Sequence, residues 1–192
     1  MDRFYKPQFL QVVKEGMADL LPGFTPVRVV RGQLGADVFS GGLLYCAVAQ
    51  PEHAVWLCWQ PDSGVERRFF VRIGWSPSRD VLPVHGQHDR RIYELRRPTR
   101  DFPACSLSLE QVLGRSGMGG FEIPTPWDQV YKLQTNTPSA EQKRIMHAAA
   151  AEAAALTPED RIAAVRGIVD EVFSHLLSVM PSFLAPADRS DA

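Results

Sequence analysis

The apolar residues of this chain change their period twice, from helical spacing to strand alternation and back again. Near the N-terminus they recur three or four positions apart, which predicts an amphipathic helix over residues 6–21, ended by Pro22. The middle of the chain carries short runs of β-branched and aromatic residues bounded by glycine and proline, and such runs are typical of strands. Four strands are predicted, over residues 25–31, 43–49, 54–60 and 67–76.

Helical spacing returns in the last third of the chain. An alanine-rich helix is predicted over residues 138–155, with Thr137 as its cap. A longer amphipathic helix follows Thr157, whose acidic neighbours complement the positive end of the helix dipole. We expect this helix to end at Pro181, because proline supplies no amide hydrogen to the helix ladder. Residues 185–192 are expected to form a frayed tail.

The fourth predicted strand separates its side chains most clearly. Alternation places four apolar side chains on one face and leaves arginines beside an aromatic ring on the other. This division is typical of a sheet that helices cover on one side. The apolar set is Phe69, Val71, Ile73 and Trp75, and the opposite set is Arg68, Phe70, Arg72 and Gly74.

Together these elements predict an α+β fold in a single domain over residues 1–184. Its antiparallel sheet has about four strands, with the N-terminal helix and the two C-terminal helices packed on one face. Residues 77–126 interrupt the pattern, because their prolines and glycines leave room for little regular structure. Within them we predict a short extended piece over residues 91–95, a brief helix over residues 107–113 and a glycine-rich turn over residues 114–120.

The composition is that of an ordinary globular protein, since 45% of the 192 residues are hydrophobic and 22% are charged. No apolar run approaches the roughly 20 residues that cross a bilayer, and the N-terminus lacks the apolar stretch of a secretory signal. A cytoplasmic protein with no membrane contact is therefore expected. Three widely spaced cysteines, Cys46, Cys58 and Cys105, argue against a disulfide framework, and the first two are expected to be small core residues.

Charge is distributed unevenly along the chain. The net charge is only −1, yet residues 66–100 contain nine arginines against four acids, so this segment carries +5 and the remainder −6. Arginine beside aromatic rings is favoured at protein interfaces and on surfaces that bind single-stranded nucleic acid. Because the chain as a whole is not basic, a protein partner with an acidic surface is the stronger hypothesis and nucleic acid the weaker. The candidate partner-binding residues are Arg68, Phe70, Arg72, Arg90, Arg91, Arg96 and Arg97.

A metal site is the first catalytic alternative. His85, His88 and Asp89 place two imidazoles and a carboxylate within five residues, and these are ligands that zinc accepts, although Pro83 and Gly86 indicate a loop. A small metal-dependent hydrolase or nuclease that uses this loop is therefore the enzymatic hypothesis. The glycine-rich turn lacks the lysine and hydroxyl residue of a phosphate-binding loop, so no cofactor is expected.

A cysteine nucleophile is the second catalytic alternative, because His53 is close in sequence to Cys46 and Cys58 and a thiol needs an adjacent base. Closeness in sequence does not guarantee contact between side chains on two strands. Cysteines inside strands are mostly buried and inert. A protein that is not an enzyme is therefore predicted.

Five short pieces of the sequence occur in an order that is similar to a known group of proteins. They are Leu-Leu-Pro-Gly-Phe over residues 20–24, Trp-Gln over 59–60, Phe-Phe-Val-Arg-Ile-Gly over 69–74, Trp127, and Leu-Leu-Ser-Val-Met-Pro-Ser-Phe-Leu over 176–184. In this order they resemble small bacterial α+β proteins of the immunity-protein type. The resemblance implies a protein that neutralises a cognate toxin by occluding its active site. Residues 77–126 have no counterpart in that group.

Overall fold

The computed structural model describes residues 5–28, 42–62, 67–84, 90–115, 120–133 and 137–185, apart from the side chains of Arg90 and Arg91. Within these ranges the chain has the predicted α+β fold, and one antiparallel sheet contains six strands where about four were expected. The strands are β1 (Thr25–Val27), β2 (Leu43–Gln50), β3 (His53–Pro61), β4 (Arg68–Ser76), β5 (Cys105–Ser108) and β6 (Phe121–Glu122). The helices are α1 (Lys6–Leu20), α2 (Leu109–Val112), α3 (Asp128–Tyr131), α4 (Ser139–Ala155) and α5 (Pro158–Leu184), and a 3₁₀ helix covers Arg90–Glu94.

The sheet is built around the hairpin of β3 and β4. These strands pair over eight positions, beginning with Ala54 opposite Ser76, and both are rich in side chains that suit a pleated surface. β2 pairs with the other edge of β3, and β1 pairs with β2. The outer edge of β4 is met by two short strands, β5 along residues 72–75 and β6 along residues 68–69. β4 is therefore held by main-chain pairing on both of its edges.

The main hydrophobic core lies between one face of the sheet and helices α1 and α5. At its centre is an aromatic cluster, in which the Phe9 ring centre lies 4.8 Å from that of Phe69 and the Trp59 ring centre lies 4.9 Å from that of Phe173. Aromatic pairs at such distances contribute about 0.5–1.5 kcal/mol each beyond the burial of their area. These rings fix both helices on the same face of the sheet.

The opposite face of the sheet is partly covered by residues 77–84, a segment that we call the strap. Leu82 of the strap joins Trp56 in a second, smaller hydrophobic core. Pro83 lies against Gly74, where a Cβ atom would be 3.0 Å from the proline ring. The sequence predicted helices on one face but did not predict that a loop segment gives the other face a core of its own.

The chain between β4 and α3 contains more regular structure than the sequence predicted. The extended piece expected over residues 91–95 is wrong, because the chain there turns into the 3₁₀ helix, with Ile92 buried and its carbonyl accepting from the Leu95 N–H. The brief helix expected over residues 107–113 is correct only in part, since its first residues belong to β5. Ser108 then ends β5 and caps α2.

Two features of the C-terminal helices differ from the prediction. α5 continues through Pro181 to Leu184, since Phe183 is fully buried with its ring centre 6.3 Å from that of Trp75. A proline in the last turn costs a ladder hydrogen bond, and this burial offsets the cost. α4 packs mainly against α3, and its buried residue is Ala149.

None of the described helices combines the length and the apolar character that crossing a membrane requires.

Candidate interaction surface

Arg68, Phe70 and Arg72 lie on the sheet face opposite α1 and α5, and we call these three residues the β4 face. Strand alternation places them there, because the intervening Phe69 and Val71 are fully buried in the core beneath the helices. Each of the three side chains is half-buried. Since β4 is paired on both edges, the sheet presents these side chains from a fixed position.

The Arg68 guanidinium is held by two neighbours. Its Nε and Nη2 atoms each lie 2.7 Å from Oδ2 of Asp62, and its Cζ lies 5.4 Å from the centre of the Phe70 ring. A cation over an aromatic ring contributes about 0.5–1 kcal/mol at an exposed site. The contact with Asp62 orients the guanidinium and also neutralises part of its charge. The β4 face is therefore less basic than its sequence alone suggests.

Arg72 lies between β3 and β5. It stands opposite Cys58 on β3 and opposite Ser108 on β5. Burial lowers the pKa of the Arg72 guanidinium, whereas the nearby Cys58 and Glu110 groups act in the opposite direction. An arginine remains a cation at neutral pH under such influences. Arg72 thus brings positive charge to the margin of the second core.

Glu110 is a charged residue of this surface that the sequence analysis missed. Its side chain is buried, and neither of its carboxylate oxygens accepts a hydrogen bond from the described residues. A buried carboxylate without donors is costly, so the Arg72 cation beside it is an important electrostatic neighbour. The sequence carried one weak signal, a position in the first turn of a helix capped by Ser108, and nothing in that signal indicates burial.

Arg67, next to the β4 face, is used inside the fold. Its Nη2 lies 2.7 Å from Glu122, its Nη1 is paired with Asp128, and its Cζ lies 4.8 Å from the ring centre of Tyr131. Only 14% of the Arg67 side chain is exposed. This arginine therefore ties β6 and α3 to the start of β4, and it offers little charge to a partner.

Arg96 and Arg97 lie away from the β4 face, near the first residue of β3 and the end of α5. Arg96 Nη1 donates to two main-chain carbonyls of its own segment, at 2.5 and 2.8 Å. Its Cζ lies 5.2 Å from the ring centre of Phe183, which belongs to the core on the helix side of the sheet. Arg97 lies close enough to His53 to influence its pKa. The predicted arginines are thus divided between two regions of the protein.

His53 is a buried imidazole beside these two arginines. Burial lowers the pKa of the ring, the Arg97 cation lowers it further, and a hydrogen bond with the main chain of Arg96 acts in the opposite direction. Its Nε2 makes no hydrogen bond with the described residues. The ring is therefore uncharged near neutral pH.

The thiols of Cys46, Cys58 and Cys105 are buried, and burial raises their pKa to about 11, 12 and 11, respectively. Near neutral pH they are protonated, which is the unreactive form of a thiol. His53 does not serve as a base for Cys58, because alternation along β3 sends the two side chains to opposite faces of the sheet. These cysteines are components of the core.

The predicted metal ligands His85, His88 and Asp89 lie outside the described residues, as do the side chains of Arg90 and Arg91. In the part of the chain that the structure describes, no group of three or more His, Cys, Asp or Glu side chains is placed to hold a metal ion. The metal-dependent hydrolase or nuclease therefore stays a hypothesis from the sequence.

Comparisons with protein-family models, with curated proteins and with solved structures find no match for this chain. The resemblance to immunity proteins rests on the five short sequence pieces. The function is accordingly inferred from the β4 face and its surroundings.

Proposed function

We propose that this protein is a non-catalytic binding protein that docks onto a protein partner through its β4 face. The observation that carries the proposal is the arrangement of Arg68 over the Phe70 ring, oriented by Asp62, on a strand paired at both edges. Arginine and aromatic side chains are frequent anchors of protein interfaces. Because these side chains are already held in place, docking costs them little conformational entropy.

A carboxylate is the partner group that suits this surface best. A guanidinium carries five N–H donors, and the contact with Asp62 leaves some of them for a carboxylate of the partner. The Phe70 ring beside it supplies apolar contact. Asp62 already neutralises part of the Arg68 charge, so this face lacks the dense positive charge that follows a nucleic-acid backbone, and a single carboxylate of a protein suits it better.

More specifically, the proposed partner is a bacterial toxin, and the protein is its immunity protein acting in the cytoplasm. The sequence resemblance supports this role, and so does a surface whose arginines suit the carboxylates of an enzyme cleft. In this proposal the β4 face covers the active site of the toxin, with Phe70 filling an apolar part of the cleft.

Co-expression tests the immunity role. The product of the reading frame next to the gene is expressed alone and together with this protein. We expect growth arrest from the neighbour alone and normal growth from the pair. A harmless neighbour, or an arrest that co-expression does not relieve, would overturn this role.

Charge reversal tests the β4 face. We expect Arg68→Glu to weaken binding of the captured partner at least tenfold, or about 1.4 kcal/mol, in a calorimetric titration. Arg166→Glu is the matched control, since Arg166 lies 2.8 Å from Glu15 on the helices and the variant places the same charge change beside another acid. Equal losses in both variants would contradict the assignment of this face. So would full affinity in a folded Arg68→Glu protein.

A further inference from the structure

Arg115, three residues after the end of α2, is hydrogen-bonded to His175 on α5, with 3.1 Å between its Nη2 and the ring Nε2. A guanidinium offers donors and no acceptor, and it stays charged throughout the ordinary pH range. The Nε2 atom must therefore be the acceptor, which requires a neutral ring with its hydrogen on Nδ1. The contact exists only while His175 is unprotonated.

Glu171 lies one turn earlier on α5, with its Oε1 atom 3.5 Å from the same Nε2. When His175 takes up a second proton, Nε2 becomes a donor that suits Glu171 and repels Arg115. In the described part of the chain, Arg115 beyond α2 and Glu171 on α5 are the charged groups against this nitrogen. Protonation of His175 therefore replaces its contact with Arg115, which lies beyond α2, by a contact with Glu171 within α5.

The Arg115 contact is connected to the β4 face through α2. The main-chain N–H of Arg115 donates to the carbonyl of Glu110 at 2.9 Å, and the Glu110 side chain lies near Arg72. α2 has four residues and packs on β4 and β5. A helix this short has little stability of its own, so contacts at its end help to hold it.

We propose that Arg115, His175 and Glu171 form a proton-operated latch between α2 and α5, closed when His175 is neutral and open when it is protonated. Through Glu110 the latch adjusts the position of Arg72 on the β4 face. Its effect on docking rests on the proposed function, whereas the latch itself is a property of the free protein. An exposed charged contact changes an equilibrium constant by roughly two- to fivefold, so the latch tunes affinity and does not abolish it.

Nuclear magnetic resonance of the free protein tests the latch. When the ring is neutral, the ¹⁵N shifts of His175 should place the hydrogen on Nδ1, and the α2 amide signals should move when the ring is protonated. His175→Gln keeps an acceptor oxygen at every pH, so its α2 signals should stay constant. His147→Gln, which removes an exposed imidazole from α4, should behave like the wild type.

A hydrogen on Nε2 of the neutral ring, or α2 signals that do not respond to protonation of His175, would overturn the latch. Its coupling to docking is measured separately as partner affinity. We expect the wild type to lose roughly two- to fivefold in affinity on the acid side of the His175 titration, and His175→Gln to lose none. A latch seen in the free protein with no such loss would refute the coupling and leave the proposed binding function standing. Failure of every variant and the wild type to bind would instead refute that function.

Discussion

A single side chain at the start of β3 links the stability of this protein to pH. His53 is buried, and both its burial and the Arg97 cation favour the neutral ring. In the unfolded chain an imidazole titrates near pH 6.5, with a pKa above that of the folded state. Below about pH 6.5 the unfolded chain therefore binds more protons than the folded one. The free energy of unfolding decreases as the pH decreases.

We expect the contribution of His53 to the free energy of unfolding to be fully present above about pH 6.5 and to decrease as the pH falls through that value. One residue contributes a slope of at most about 1.4 kcal/mol per pH unit. Urea denaturation at a series of pH values measures the free energy of unfolding and therefore this slope. His53→Gln should flatten the decrease, whereas His147→Gln should retain it. The same slope in all three proteins would assign the pH dependence to other groups.

Helices α1 and α5 pack at a point where one of them has no side chain. A Cβ atom on Gly16 would lie 2.2 Å from Cε2 of Phe173, far inside van der Waals contact. The glycine therefore lets Phe173 reach the Trp59 ring beneath it. Glycine inside a helix costs about 1 kcal/mol relative to alanine, and the packing of this ring offsets that cost.

A pair of glycine substitutions tests this packing. Gly16→Ala should lower the free energy of unfolding by about 1–3 kcal/mol, because the added methyl group displaces the Phe173 ring. Gly167→Ala on α5 is the control, since among the described residues no atom outside its own helical backbone and chain neighbours lies within 4 Å of the added Cβ. Helix propensity should therefore raise stability by about 0.5–1 kcal/mol. Urea denaturation measures both. Gains of similar size in the two variants would mean that the helices do not approach at Gly16.

The long elements could be predicted from the sequence, whereas the short strands β5 and β6 could not. α1 and α5 repeat the helical period along their length, and β4 alternates over its first residues. β2 and β3 are nearly continuous apolar runs of eight and nine residues, which also identifies them as strands. β5 and β6 have four and two residues, too few for alternation to appear. They exist because β4 offers them an edge, and this information lies elsewhere in the chain.

Whether a threonine caps a helix depends on the exact residue at which the helix begins. α5 follows Thr157 as predicted, and Thr157 caps it, since its side chain accepts from the N–H of Asp160 while the Asp160 carboxylate accepts from the N–H of Thr157 at 2.9 Å. The cap predicted at Thr137 is wrong, because α4 begins one residue later, after Pro138, which has no polar side chain to cap it. A shift of one residue decides whether a threonine can cap.

Across the protein as a whole, strand alternation predicted the β4 face. No pattern in the sequence predicted where Arg96 and Arg97 lie or that the strap covers part of the same side of the sheet. Arg68, Phe70 and Arg72 share a face because they occupy alternate positions of one strand. Arg96 and Arg97 are near them in sequence, but the 3₁₀ segment leads to the helix side, and no local pattern signals that path. The strap could not be predicted either, because its three apolar residues, Val81, Leu82 and Val84, show no helical or strand period.

Truncation of one strap residue measures how much the second core contributes. Leu82→Ala should lower the free energy of unfolding by about 2–3 kcal/mol and speed the reaction of Cys58 with a thiol reagent. Val81→Ala is the control, since Val81 is 41% exposed and its truncation should change stability by less than about 0.5 kcal/mol. Equal stability and equal labelling in the two variants would show that the strap does not cover this face.

The outer edge of β4 is closed by strands from residues 105–108 and 121–122, far along the chain from the hairpin that they complete. Until those residues dock, a nine-residue strand rich in aromatic side chains has main-chain groups that another chain can pair with. Newly made molecules are thus most prone to associate with one another in the interval between hairpin formation and the arrival of these two strands.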